Sequence, residues 1–237
     1  MRKFLTAEWR HLLMINYAVD PKLLLPHIPN GVELDTWNAK TYVSMVGFLF
    51  LRTRVMGLRI PLHSNFEEVN LRFYVRKRSP EGWRRGVVFL KEIVPRALIA
   101  TVARIGYNEP YATMPMRHRI EIDNEGASLV EYSWRFNGRW NSLSGKTAGA
   151  PCRAREGSEE EFITEHYWGY TAQSDGRCKE YQVEHARWLI WRAENVALNC
   201  DVASICGAKF VQPLNSPPRS AFIADGSPVT VGSGEFL

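Results

Sequence analysis

Period-two alternation of apolar and polar side chains runs through most of this chain, and it restricts the fold to one built of half-buried strands. His11, Leu13, Ile15, Tyr17 and Val19 share one face of a first predicted strand. The aromatic and branched run from Tyr42 to Phe50 predicts a second. Further strands are expected over residues 67–76, 86–94, 98–105, 117–122, 180–185, 189–198 and 209–211, and near the C-terminus. Asn137-Gly138 between residues 127–136 and 139–144 is a hairpin signal, because a type I′ turn requires positive φ at both central residues.

Helical signals are few and short. Asp20-Pro21 offers an N-cap and a first-turn proline, with Pro26 and Pro29 ending whatever follows. Ser158 with Glu161 forms a capping box, and the helix it starts is expected to reach about Tyr170. Its apolar stripe is Phe162, Ile163, His166, Tyr167 and Tyr170. Residues 144–157 are small, polar and basic and predict a mobile surface loop. No fixed-period repeat or Pro/Ser-rich linker divides the chain. The expectation is one mainly-β domain over residues 1–237, a closed or nearly closed barrel with a few short helices.

Composition narrows the function classes. With 45% hydrophobic and 23% charged residues, extensive disorder is excluded. No run approaches the roughly 20 apolar residues of a spanning helix, so no membrane partner is expected. The net charge of +5 comes from scattered arginines such as Arg52, Arg54, Arg76, Arg78, Arg117 and Arg119. These read as turn and strand-end residues, and without a continuous basic stripe no nucleic-acid partner is expected. The four cysteines show no CxxC pair and read as reduced, packed thiols. Thr6, Glu8 and Arg10 interrupt the start before a signal-like apolar core can form, which leaves the cytoplasm as the expected location.

Candidate chemistry concentrates on one segment. As a strand, residues 65–76 put Val69, Leu71, Phe73 and Val75 on one side and Glu68, Asn70, Arg72, Tyr74 and Arg76 on the other. In a sandwich the polar row faces water; in a barrel it can line a cavity, where Glu68 beside Arg72 would orient a small polar ligand and exchange a proton with it. Alternation leaves both open. Other matches fail: Gly145-Lys146-Thr147 lacks the earlier glycine of a phosphate loop, since Trp140 stands there. Glu165-His166 and Glu184-His185 make no zinc motif, so neither a metal nor a cofactor is expected. His166 on a helix stripe reads as a core or hydrogen-bonding residue, and Lys91 beside Glu92 as a strand-end charge cluster.

The residues of this segment belong to a longer ordered set. Trp9, Ile15-Asn16-Tyr17-Ala18-Val19-Asp20-Pro21, Pro29-Asn30-Gly31-Val32-Glu33-Leu34 and Tyr42-Val43-Ser44-Met45-Val46 precede Asn65 to Val75. Gly86-Val87-Val88-Phe89, Ala103-Arg104, Pro110-Tyr111, Phe162 to Tyr167, Val183-Glu184-His185 and Trp188 follow. In order and spacing the chain resembles the YqjF-like family, which is related to acetoacetate decarboxylase and shares its barrel fold. The family's pattern has arginine where this chain has His166.

The decarboxylase relatives use a lysine amine that forms a Schiff base, assisted by a glutamate and an arginine, and their lysine pair follows a Tyr-Gly-Phe-Pro run. Tyr107-Asn108-Glu109-Pro110 matches that run, which puts Tyr111 and Ala112 at the lysine positions. Glu68 matches the glutamate and Arg10 the arginine. The resemblance therefore implies an inherited cavity without its nucleophile, and no Schiff-base decarboxylation. It leaves Glu68 as acid/base and Tyr111 as hydrogen-bond donor to a carbonyl or enolate. Arg10, Asn70, Arg72, Arg104 and Tyr107 form the expected substrate-binding set. Two readings stand: an enzyme moving a proton on a small oxo- or hydroxy-acid, or a non-catalytic barrel that binds an organic anion. Self-association is open.

Overall fold

The computed structural model describes residues 2–98, 100–101, 108–123 and 126–237. Its strands are β1 (Lys3–Val19), β2 (Glu33–Leu34), β3 (Thr41–Val55), β4 (Leu58–Arg59), β5 (Phe66–Ser79), β6 (Gly82–Val94), β7 (Tyr111–Thr113) and β8 (Met116–Asp123). They continue as β9 (Gly126–Phe136), β10 (Arg139–Arg153), β11 (Trp168–Ala172), β12 (Cys178–His185), β13 (Leu189–Asn199), β14 (Ser220–Gly232) and β15 (Glu235–Phe236). All join one 15-stranded sheet. The path β12-β11-β6-β5-β3-β1-β14 closes on itself, because Val183, Glu184 and His185 of β12 pair with Val231, Thr230 and Val229 of β14. Closure removes the free edges that an open sheet would expose. Strands β13, β10, β9 and β8 continue from β14 as a wing.

Two apolar cores follow from strand alternation. Leu13, Ile15, Val43, Met45, Leu71 and Phe73 point outward from the ring and pack under Val130, Tyr132, Trp134 and Leu143 of the wing. Leu12, Met14, Val46, Phe48, Phe50, Tyr74, Val87 and Phe222 point into the ring. The ring strands are therefore covered on both faces, and the polar row of β5 falls on the inner one. Asn16, Ser44 and Tyr74 satisfy one another there: Ser44 Oγ lies 2.6 Å from Asn16 Oδ1 and 2.5 Å from the Tyr74 hydroxyl.

Most predicted strands are present, and Asn137-Gly138 makes the expected turn with φ values of 47° and 78°. Asp20 caps a short 3-10 turn through the Lys22 N–H at 2.8 Å, and Ser158 Oγ accepts the Glu161 N–H at 3.2 Å.

Four expectations need correction. The helix after Ser158 spans only Glu159–Thr164, because Glu165 leaves the helical region. Arg85 and Arg72 take the carbonyls of Phe162 and Ile163 at 3.4 and 3.3 Å, and the β-prone residues beyond join β11. Residues 144–153 continue β10 instead of forming a loop: their small side chains mark close approach, and a Cβ on Gly145 would lie 3.0 Å from Val196. Residues 97, 98, 100 and 101 are helical rather than extended, with the Ala100 N–H donating to the Arg96 carbonyl at 3.1 Å. The remainder of that predicted strand, residues 99 and 102–105, lies outside the described residues. Finally, Lys209 and its neighbours form the 3-10 turn Ala208–Phe210 and helix Val211–Leu214, burying Phe210 and Leu214 as helical neighbours.

Candidate functional site

The interior of the ring holds a cavity of about 140 Å3. An apolar cavity of about 150 Å3 accommodates benzene, so this space suits a small organic molecule. Its wall is mostly aromatic and aliphatic: Trp9 meets Phe48 and Phe50 edge-on, Phe50 stacks on Phe66, and His185 stacks on Trp188. Against this wall stand Glu68, Asn70, Arg72, Glu92, Glu109, Tyr111 and His166.

Each polar group is placed by a strand register. On β5, Glu68, Asn70 and Arg72 follow one another at alternate positions on the inner face. On β6 the inner residues are Val87, Phe89 and then Glu92, an odd step made possible by a bulge. Asn70 is paired with Glu92 and Arg72 with Phe89, so the extra residue turns Glu92 inward. Beside β6, the parallel strand β7 sets Tyr111 opposite Glu92. Tyr111 then faces the cavity while Ala112 packs on the outer core.

Glu68 lies at the centre of the polar cluster. Its Oε1 accepts from Asn70 Nδ2 and its Oε2 from the Tyr111 hydroxyl, both at 3.0 Å. Glu68, Asn70, Glu92 and Glu109 are each no more than 5% exposed. Burial raises the Glu68 carboxyl to about 7, although Asn70, Tyr111 and Arg72 all pull it down. Glu92 is raised well above the carboxylate range by burial and by the charges of Glu109 and Glu68. Burial also raises Glu109, whose Oε1 accepts from Thr171 Oγ1 at 2.5 Å and from the Tyr181 hydroxyl at 2.8 Å. Burial holds the Tyr111 phenol well above its usual range and pushes His166 well below its own, with Arg85 and Arg72 adding to the latter. Among the described lining residues, the site thus joins carboxyls raised toward or above neutrality to an imidazole held uncharged and to one guanidinium, that of Arg72.

Among the described residues, several polar atoms here are buried without a hydrogen-bond partner: Trp9 Nε1, Asn70 Oδ1, Arg72 Nε, Glu92 Oε2 and both ring nitrogens of His166. All belong to lining residues. A buried unsatisfied polar atom costs about 1–3 kcal/mol, so their convergence on one space is what a ligand-binding surface requires. No group of three or more His, Cys, Asp or Glu side chains suited to a metal ion occurs among the described residues.

Among the residues expected from the sequence, the fold brings Glu68, Asn70, Arg72 and Tyr111 together. Arg10 is a correction. Alternation turns Trp9 into the cavity and Glu8 and Arg10 out of it, and Arg10 donates to Glu8 Oε2 at 3.0 and 2.9 Å. Arg104 and Tyr107 lie outside the described residues. Glu92 and Glu109 are members that pattern reading did not single out. A carboxylate set between Leu90 and the apolar pair Ile93-Val94 was the available signal for Glu92. Glu109 carried none, because its burial comes from Thr171 and Tyr181, 62 and 72 residues away.

Comparison with known proteins agrees with this architecture. The family model DUF2071, described as an uncharacterized conserved protein, matches residues 6–228. A protein of Bacillus subtilis strain 168, Uncharacterized protein YqjF, is 28% identical over 190 residues, covering 78% of this chain and 74% of that protein. Acetoacetate decarboxylase from Legionella pneumophila superposes with a TM-score of 0.68 at 11% identity, covering 100% of this chain and 88% of that one. An acetoacetate decarboxylase-like enzyme from Sphingomonas wittichii RW1 gives 0.66 at 14% identity, covering 100% and 94%. The enduracididine biosynthesis enzyme MppR in complex with pyruvate gives 0.71 at 11% identity, covering 100% and 91%. These likenesses establish an acetoacetate decarboxylase-like fold, and the match over nearly its whole length makes the chain a YqjF-like member of the DUF2071 family.

Proposed function

We propose that this protein is an enzyme that moves a proton on a small oxo-acid or hydroxy-acid with an apolar body, without a Schiff base. The observation that carries this reading is the Glu68 carboxyl, buried, hydrogen-bonded to Tyr111 and raised to about 7. A carboxyl that titrates near neutrality both takes and returns protons efficiently. Arg72 holds the substrate carboxylate, and the aromatic wall takes the hydrocarbon part. Glu68 as carboxylate removes a proton from the carbon next to the carbonyl. Once Glu68 is protonated, its oxygen no longer competes for the Tyr111 hydroxyl, which turns to the enolate oxygen.

The test is exchange with D2O of protons next to the carbonyl in a panel of 2-oxo acids, followed by NMR for wild type and Glu68→Gln. Exchange with at least one acid is expected, falling by about a hundredfold or more in the variant. Full exchange in Glu68→Gln would overturn the assignment. Binding without exchange would instead support the organic-anion-binding barrel, a reading favoured by the resemblance, which puts Tyr111 and Ala112 where the decarboxylases have their lysine pair.

A further inference from the structure

The end of β3 and the short strand β4 form a hairpin that is basic and apolar at once. No acidic residue occurs from Leu51 to Asn65, whereas Arg52, Arg54 and Arg59 do. Arg54 stands directly opposite Arg59, and Val55 opposite Leu58. Like charges facing each other across a ladder destabilise the pairing. Arg52 is paired with Glu8, but among the described residues neither Arg54 nor Arg59 has an ion pair. Exposed Arg2 and Lys3 lie next to this hairpin, because the Met56 N–H donates to the Phe4 carbonyl at 2.7 Å.

Three large apolar side chains stand out from the same hairpin and the segment after it. Met56 is 60% exposed, Leu58 73% and Leu62 85%. Single exposed apolar residues are ordinary, but here an unfavourable backbone accompanies them. Met56 and Gly57 make the turn with φ values of 50° and 81°, and Leu62 has φ 62°. Asn or Gly adopts such a backbone at lower cost than a bulky side chain, so turn formation does not account for Met56 or Leu62. Beside them, Leu5 pairs with Val55, and half-buried Phe4, Leu5, Val55 and Ile60 line the cavity.

We propose that this hairpin seats the protein on a bilayer surface rich in anionic lipid headgroups. Met56, Leu58 and Leu62 enter the boundary between headgroups and acyl chains, while Arg54, Arg59, Arg2 and Lys3 meet the phosphates. The negative surface offsets the repulsion between the two facing arginines. Such contact needs no spanning helix, and the lack of a long apolar run excludes only a span. A bilayer also fits better than a protein partner. A stable protein interface buries about 1,200 Å2 or more in total, which three side chains on a narrow hairpin do not supply. At a lipid interface, burial of single side chains adds to the attraction of each cation. Docking of this kind is independent of the chemistry at Glu68.

The experiment is flotation of the full-length protein with vesicles of phosphatidylcholine alone and of phosphatidylcholine with phosphatidylglycerol in equal parts. Binding is expected to the mixed vesicles and to weaken as salt is raised. Arg54→Gln with Arg59→Gln should weaken it by about thirtyfold, at about fivefold for each cation. Leu58→Ser with Leu62→Ser should weaken it by about tenfold or more. Met56→Asn, which suits the turn better, should also weaken binding and so supplies an apolar loss that misfolding does not explain. Lys40→Gln with Arg155→Gln removes the same charge beside the opposite end of β3, where Trp37 bonds the Lys40 and Gly157 carbonyls, and should leave binding unchanged. Failure to float with the mixed vesicles overturns the proposal. Equal weakening by the two charge pairs, or equal binding to both kinds of vesicle, also overturns it. A dimer in sedimentation equilibrium that Leu58→Ser with Leu62→Ser abolishes, without flotation of the wild type, assigns the hairpin to a second copy of this chain instead.

Discussion

At Glu68 burial and hydrogen bonding pull in opposite directions, and burial wins. The same holds at Glu109, and at Glu92 the neighbouring charges add to burial. Because these folded-state values are raised, the protonated carboxyls contribute their stability fully below the ordinary carboxyl value, about pH 4. That contribution is lost as pH rises through the folded value, which is about 7 for Glu68. Stability is therefore expected to fall between mildly acidic and mildly alkaline pH, and Glu68→Gln should flatten the fall. Urea unfolding at the two ends of that range measures it. His166 acts with the opposite sign: its folded value is depressed, so its contribution is present above about pH 6.5 and lost as pH falls. His166→Gln should remove part of the acid limb and leave the alkaline one. The Glu68 row was legible in the sequence as a row, because residues two apart on a strand share a face. Which face it was depended on what lay beyond the strand.

At the scale of elements, the site depends on how closely β11 and β12 approach. Gly169 is paired with Tyr181, and a Cβ built on it would lie 2.1 Å from the Tyr181 ring. Gly169→Ala must therefore displace the ring whose hydroxyl bonds Glu109. The variant is expected to lose proton exchange while a remote strain does not: Gly138→Ala, at φ 78° in the wing hairpin, should cost about 1 kcal/mol and leave exchange unchanged. Melting curves and the NMR exchange assay separate the two. Bulges explain why alternation alone cannot carry one face through a whole strand. His11, at φ 54°, sits where the β1 register shifts, so Trp9 and Leu12 both reach the cavity although they are three residues apart. The β6 bulge does the same for Phe89 and Glu92. A periodic reading carries one parity through a strand, whereas a bulge reverses it midway. Caps were legible because they are local: Ser158 and Asp20 need only the next few residues. Helix length was not, since Arg72 and Arg85 on distant strands take the last carbonyls.

At the scale of the whole molecule, closure of the ring by β12 and β14 turns a polar strand face into a cavity floor. A small carboxylate that enters this cavity and binds only the folded chain should stabilise it by about 2.7 kcal/mol at one hundred times its dissociation constant. A thermal-shift screen of 2-oxo acids is expected to find such a ligand, with the shift lost in Arg72→Ala; a shift retained in that variant would remove Arg72 from carboxylate recognition. The amino-acid pattern by itself determined the strand-rich class, the main turns and caps, and the grouping of Glu68, Asn70 and Arg72 on one face, because each depends on residues near in sequence. Tertiary structure alone decided that this face is interior, that Arg10 turns outward to Glu8, and that Glu92, Glu109 and His166 join the cavity. Those outcomes depend on ring closure, bulge placement and contacts between residues far apart in the chain, and local periodicity carries no information about any of them.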